Sequence, residues 1–259
     1  MPSNGSVLDT RPGERPGVEP ASELSLHHER IRARGVNPYV YWTVRAVLQP
    51  FLHLYFRLRR EGREHIPANG PLLLAANHRS FLDPFVIACC IRRPIFFVAK
   101  RELFDKRLQG WFLNALGAFP VRRGEADEES LATARALLER GEAVLIFPEG
   151  TRIRGGSLGE PRRGVGRLAL ETAAPVVPVA VTGTDRARSR RFIIRPARVA
   201  IRCGRPLRYP LVESPSAGLA AAVTDRIWPC VAIQWEWLGG APPRRSPPAQ
   251  PAFVARRAA

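Results

Sequence analysis

Apolar residues in this chain fall in short, nearly unbroken runs. Pro71 to Ala76, Ile95 to Ala99, Ala118 to Val121, Ala143 to Phe147, Val176 to Val181 and Arg198 to Cys203 each read as a strand. The runs are rich in Val, Ile and Leu without polar alternation, which predicts a sheet buried on both faces. Stretches of helical spacing separate them: Pro84 to Ile91, a pair ending near Leu108 and Leu116, Asp127 to Arg140, Gly164 to Ala173, and Pro215 to Trp237 with a break near Pro229. In the Asp127 stretch, Leu131, Ala134, Leu137 and Leu138 share one face and Gly141 supplies the stop. Strands alternating with helices predict an α/β fold, a mostly buried sheet flanked by helices.

The pattern changes toward both ends. Residues 1–37 are rich in Pro, Gly, Ser and charge and read as a disordered extension without the apolar core of a signal peptide. Residues 241–259 read as a disordered basic tail. Residues 38–62 are different. Tyr39, Tyr41, Trp42, Val44, Val47, Leu48, Phe51, Leu52, Leu54, Tyr55, Phe56 and Leu58 crowd into one window, interrupted by Arg45, Gln49, Pro50 and His53. A central arginine costs about 2.5 kcal/mol or more in hydrocarbon, and the clean apolar run is shorter than the roughly 18 residues of a membrane span. The window therefore reads as an amphipathic helix at a membrane interface, with Arg57, Arg59 and Arg60 at lipid headgroups. Packing on the domain's own core is the competing reading. On the interfacial reading, removing residues 1–58 leaves the α/β core, residues 63–240, folded.

Charge narrows the range of partners. The 259-residue chain has a formal net charge of +17, and Lys100 and Lys106 are its only lysines. This balance suits nucleic acid, an anionic bilayer or an acidic carrier protein. No helix-turn-helix, zinc or RNA-binding signature is present, so no nucleic acid is expected. The four cysteines, Cys89, Cys90, Cys203 and Cys230, form no Cys-x-x-Cys pattern and are not grouped with histidines. They read as buried thiols in a cytoplasmic setting, with no metal site.

Candidate chemistry lies at the strand ends. Asn77-His78-Arg79-Ser80-Phe81-Leu82-Asp83-Pro84 places a histidine and an aspartate five positions apart. They meet if His78 ends a strand and Asp83 opens the next helix, a turn that Pro84 favours. A carboxylate on one imidazole nitrogen leaves the other free to take a proton from a substrate hydroxyl. Taken alone, the segment also reads as an N-capping aspartate beside a polar turn residue. Val144-Leu145-Ile146-Phe147-Pro148-Glu149-Gly150-Thr151-Arg152 is a strand running into a turn, where Gly150 permits unusual backbone angles and Arg152 offers a planar cation for phosphate. Lys100 and Arg101 follow one further strand, and Arg122 and Arg123 follow another. Basic residues at three strand ends and a His–Asp pair at a fourth suggest one site holding an anion beside a general base.

In order and separation these segments resemble the glycerolipid acyltransferase family, typified by bacterial 1-acyl-glycerol-3-phosphate acyltransferases. Its first block, Asn-His-x4-Asp, is matched by Asn77 to Asp83. Its second is matched by Gly117, Phe119 and Arg123, and its third in full by Phe147 to Arg152. Its fourth, an apolar strand with a central proline, is matched by Val176 to Ala180. The likeness covers about residues 38 to 210. Arg122 stands where many relatives have an acidic residue, Ile153 where serine is common, and Arg163 where lysine is frequent.

The resemblance implies transfer of a fatty acyl group from a thioester, acyl-CoA or acyl carrier protein, to the 2-hydroxyl of 1-acyl-glycerol-3-phosphate, giving phosphatidic acid. His78 would be the general base and Asp83 its orienting carboxylate. Lys100, Arg123 and Arg152 would hold the phosphate, with Glu149, Gly150 and Thr151 shaping the substrate site. No metal or organic cofactor is implied. The partners would be a lysophospholipid acceptor and an anionic membrane surface, at the cytoplasmic face of the cell membrane. Two other readings remain at this point: the same chemistry on another lyso-lipid or glycolipid hydroxyl, and a basic membrane or nucleic-acid binding protein without catalysis.

Overall fold

The computed structural model describes residues 23–122, 127–187 and 194–241. Seven strands form one sheet in the order β1-β7-β6-β2-β5-β3-β4. In chain order they are β1 (Arg59–Glu61), β2 (Leu72–Ala76), β3 (Ile95–Lys100), β4 (Ala118–Val121), β5 (Ala143–Ile146), β6 (Val176–Thr182) and β7 (Ala200–Cys203). The five from β6 to β4 run parallel, whereas β7 pairs antiparallel with β6 and parallel with β1. The helices are α1 (Glu23–Arg34), α2 (Pro38–Tyr55), α3 (Asp83–Cys90), α4 (Arg107–Ala115), α5 (Glu128–Glu139), α6 (Gly164–Thr172) and α7 (Ala217–Trp237).

The unalternating apolar runs are explained by two cores, one on each face of the sheet. In β2, Leu72, Leu74 and Ala76 face a core shared with Leu52 and Phe56 near the end of α2 and with Val86 and Ile87 of α3. Leu73 and Ala75 face a second core built with Ile31 of α1, Leu137 of α5, Leu168 of α6 and Ile227 of α7. A strand flanked this way has no water-facing side and needs no polar alternation.

Four expectations change. Within the segment expected to be disordered, residues 23–34 form α1. Ile31 is fully buried, and the buried His28 Nδ1 lies 2.9 Å from Thr133 Oγ1 on α5. Residues 1–22 and the tail from 242 onward lie outside the described residues. Secondly, α2 is part of the domain as well as a surface helix. Tyr41 and Leu52 are buried, and the Arg45 guanidinium donates to the carbonyl oxygens of Ala88 and Cys89 at the end of α3. The arginine that would be costly in hydrocarbon thus satisfies helix-end acceptors. Since Leu52, Phe56 and Leu58 belong to the core, removing residues 1–58 would open it. Thirdly, Arg59 and Arg60 lie in β1 at the sheet edge, where Arg59 pairs with Glu61 at 2.8 Å and Arg202 of β7 also pairs with Glu61.

Fourthly, α7 runs unbroken through Pro229. The carbonyl that a proline leaves unpaired belongs to residue 225, and Asp225 and Pro229 both face solvent. Ser216 caps the helix, its side chain accepting from Leu219 N at 3.2 Å. α7 crosses α6 at very close range. Gly166 N donates to Thr224 Oγ1 at 3.1 Å, and a Cβ on Gly166 would lie 2.6 Å from that oxygen and against the Ala220 carbonyl. Gly166→Ala is therefore expected to destabilise the protein by about 1–3 kcal/mol, the usual range for overpacking, as measured by denaturant unfolding.

Candidate active site

The site begins where β2 ends. Asn77 extends the ladder with its side chain: Nδ2 donates to Val181 O at 3.0 Å and Oδ1 accepts from Val181 N at 2.8 Å. This fixes the point at which the chain turns. The next residue, His78, is held through its backbone. Its N–H donates to Glu149 Oε2 at 2.6 Å and its carbonyl accepts from Ile153 N at 2.9 Å. The ring stacks on Phe147, with centroids 4.0 Å apart and an interplanar angle of 19°.

Residues 79–82 wrap around the Asp83 carboxylate, which is how a five-residue spacing becomes a contact. Asp83 Oδ2 lies 2.9 Å from His78 Nδ1 and accepts from the amides of Arg79 at 2.6 Å and Ser80 at 2.7 Å. Oδ1 accepts from Thr184 Oγ1 at 2.5 Å. Asp83 is fully buried and occupies the first turn of α3, where a carboxylate is favoured by the helix dipole. With an acceptor at Nδ1, the neutral imidazole carries its proton there and presents a lone pair at Nε2. The arrangement can accept a proton at Nε2 and stabilise the resulting imidazolium.

Glu149 braces this corner. Its second oxygen, Oε1, accepts from Gly159 N at 2.8 Å, so one carboxylate joins the end of β2 to the loop after β5. Burial pushes its carboxyl up to about 7, against the two amide donors and the Arg79 charge. Arg79, also buried, donates to the carbonyl oxygens of Ser157 and Gly155, and its guanidinium packs 5.1 Å from the Trp235 ring centre.

His78 forms part of the wall of a cavity of about 360 Å³ between the sheet, α5 and α6. Its interior is apolar, with Val98, Leu131, Ile146 and Val165, and Arg122, Arg162, Arg163 and Arg167 also line it. Among the residues expected from sequence, His78 and Gly150 reach this cavity. Lys100 pairs instead with Glu102 at 2.8 Å, and Thr151 and Arg152 are exposed outside the lining. Gly150 has φ +66°, which carries the following residues outward. Arg123 lies outside the described residues.

Sequence reasoning missed Thr184 and Arg162. Thr182-Gly183-Thr184 follows a strand, and Arg162-Arg163-Gly164 precedes a helix. Both placements carry the kind of signal that flagged His78 and Arg152. Among the described residues, no group of three His, Cys, Asp or Glu side chains could hold a metal ion.

The site thus sets a carboxylate-bound histidine at a central strand end of an α/β sheet, in the wall of a cavity with an apolar interior whose lining carries four arginines together with Asp127 and Glu128. Residues 57–182 match the Acyltransferase family model. The 1-acyl-sn-glycerol-3-phosphate acyltransferase of Bacillus subtilis is 31% identical over 183 residues, covering 70% of this chain and 89% of that protein. The chain belongs to the Acyltransferase family. A chloroplastic 1-acyl-sn-glycerol-3-phosphate acyltransferase from Arabidopsis thaliana is 30% identical over 138 residues, 52% of this chain. The chain spans about two fifths of the length of such chloroplastic relatives, 38% of that one and 40% of a Brassica napus protein. The crystal structure of the 1-acyl-sn-glycerophosphate acyltransferase PlsC from Thermotoga maritima shares the fold with a TM-score of 0.56 at 22% identity, covering 84% of this chain and 95% of that one.

The raised Glu149 carboxyl makes stability depend on pH. The folded state keeps this proton up to about pH 7, whereas an unfolded carboxyl releases it near 4.5. The resulting stabilisation is complete below 4.5 and is lost as pH rises through 7. It is on the order of 3 kcal/mol. Denaturant unfolding from pH 4.5 to 8 is expected to show this decline in the native protein and a flatter profile in Glu149→Gln.

Proposed function

We propose that this protein transfers a fatty acyl group from a thioester to the 2-hydroxyl of 1-acyl-glycerol-3-phosphate, forming phosphatidic acid. The observation that carries the reading is the His78–Asp83 contact of 2.9 Å in the wall of a cavity that is apolar inside and lined with arginine. The acceptor has the same layout, with a hydroxyl placed between an acyl chain and a phosphate. Family membership and the names of the relatives support it.

In this mechanism His78 Nε2 takes the proton of the acceptor hydroxyl as its oxygen attacks the thioester carbonyl carbon. The tetrahedral intermediate collapses by breaking the C–S bond, and the imidazolium returns its proton to the departing thiolate. Asp83 holds the ring and stabilises its cation through the middle of the cycle. General-base assistance of this kind contributes about 10²–10⁴-fold. Positioning by the cavity supplies a further share. Acyl-CoA and acyl carrier protein both meet the chemical need for a thioester, and the basic surface suits either.

The acceptor resides in a bilayer, and α2 offers a surface to meet it. Tyr39, Val47 and Leu54 are 84%, 70% and 82% exposed, with Trp42 and Phe51 beside them. No helix among the described residues is long and apolar enough to cross a membrane. The proposed arrangement is an α2 face resting on the anionic membrane surface, peripheral or monotopic.

Two experiments test these readings. Purified protein supplied with acyl-CoA or acylated carrier protein and a panel of lyso-lipids is expected to give phosphatidic acid by mass spectrometry. In the same assay, folded His78→Ala is expected to lose at least about 10²-fold in turnover, and Asp83→Asn to be severely impaired. Near-normal turnover of folded His78→Ala would remove the histidine from the mechanism. Separately, the triple variant Tyr39→Ser/Val47→Ser/Leu54→Ser is expected to keep its fold and lose most of the salt-resistant binding to anionic vesicles. Retained binding would place the membrane contact elsewhere.

A further inference from the structure

The Asp83 carboxylate meets its own turn at one oxygen and a distant loop at the other. His78, Arg79 and Ser80 all approach Oδ2. Oδ1 accepts from the Thr184 hydroxyl at 2.5 Å, and Thr184 lies 101 positions further along the chain. We propose that Thr184 is a positioning residue for acyl transfer: through Asp83 it holds the His78 ring in the orientation that proton removal requires. This rests on the acyltransferase reading above and deepens it.

Thr184 owes its place to contacts that do not involve Asp83. It is fully buried, two residues beyond β6. The Asn77 side chain bonds both backbone groups of Val181, which fastens the end of β2 to the end of β6 three residues before Thr184. Gly183 then turns the chain with φ +85°. It packs so closely on the segment before β7 that a Cβ there would overlap the Arg198 carbonyl. The Gly183 carbonyl accepts from Arg186 N and Ala187 N, both at 3.2 Å, which closes the turn. The backbone thus delivers the hydroxyl to a fixed point beside the carboxylate.

A carboxylate bonded at one oxygen still turns about its last side-chain bond, where the torsional wells are broad. A ring that depends on it turns as well. Donors at both oxygens fix the carboxylate plane, and with it the direction in which Nε2 points. Removing the hydroxyl also leaves a buried carboxylate oxygen without that donor, an unfavourable state that rotation of the group relieves. Proton transfer depends steeply on alignment. Thr184 does not line the cavity that contains His78, so its hydroxyl acts on the reaction through Asp83.

Thr184→Val removes the hydroxyl and keeps the shape of the side chain, whereas Thr184→Ser keeps the hydroxyl. Steady-state rates with 1-acyl-glycerol-3-phosphate and acyl-CoA are compared for these variants and the native protein, with folding checked by circular dichroism and denaturant unfolding. Thr184→Val is expected to lower kcat at least about tenfold while the KM of either substrate changes less than about threefold. Thr184→Ser is expected to recover most of the native kcat. Thr184→Ala is a second hydroxyl-free variant, read in the same way if Thr184→Val does not fold. A hydroxyl-free variant that is less stable but turns over at the native rate when folded overturns the proposal. So does Thr184→Ser as slow as Thr184→Val. A second readout needs no turnover and decides if no acyl product forms. The proton between His78 Nδ1 and Asp83 is followed by NMR and assigned by its absence from His78→Ala. Its signal is expected in the native protein and Thr184→Ser, and to broaden or vanish by exchange with water in the folded hydroxyl-free variant. That loss supports the positioning role even if the acyltransferase reading fails, and an unchanged signal overturns it.

Discussion

The corner at which β2, α3 and the loops after β5 and β6 meet is organised around one buried carboxylate. Asp83 accepts from His78, from the amides of Arg79 and Ser80, and from Thr184. A charge without water is tolerable only when it is so thoroughly bonded. Each donor that meets this need is thereby given a fixed place: the histidine ring, the turn that links strand to helix, and the loop beyond β6. Glu149 does the same for the backbone of His78 and for Gly159. The two acidic side chains hold opposite sides of one histidine, its ring and its amide, so its orientation is set before any substrate arrives.

The central sheet was legible in the sequence because its strands are buried on both faces, and burial leaves a composition that needs no long-range information to read. The edge was not. β1 is Arg-Arg-Glu, and its membership depends on β7, joined through the Glu61–Arg202 pair across 141 positions of sequence. α1 was hidden for a related reason. Its twelve residues are strongly polar, and its docking depends on Ile31 and His28 meeting a surface made by α5 and β4. Pro229 looked like a break because the sequence does not say that Asp225 faces water.

The site was legible in part, for the same physical reasons. His78 and Asp83 lie within one turn, so spacing and Pro84 suffice to bring them together. Thr184 reaches the same carboxylate from 101 positions away, and only the parallel pairing of β2 with β6 brings it there. The arginines depended on direction rather than distance. Whether Arg152 or Arg162 faces the cavity is decided by the positive φ of Gly150 and by the Ile153 amide bonding back to His78. Neither is visible in a list of residue types.

The way α3 is gripped at its two ends has a mechanical consequence. Its first residue is Asp83, bound to the histidine, and its last carbonyls are taken by Arg45 of α2 and by Arg63 beyond β1. Eight helical residues span about 12 Å. α3 is therefore a short strut with the His78–Asp83 pair at one end and the surface helix at the other. A load on α2 that pushed or tilted it would be delivered to the imidazole through a single stiff piece, with no loop between to absorb it.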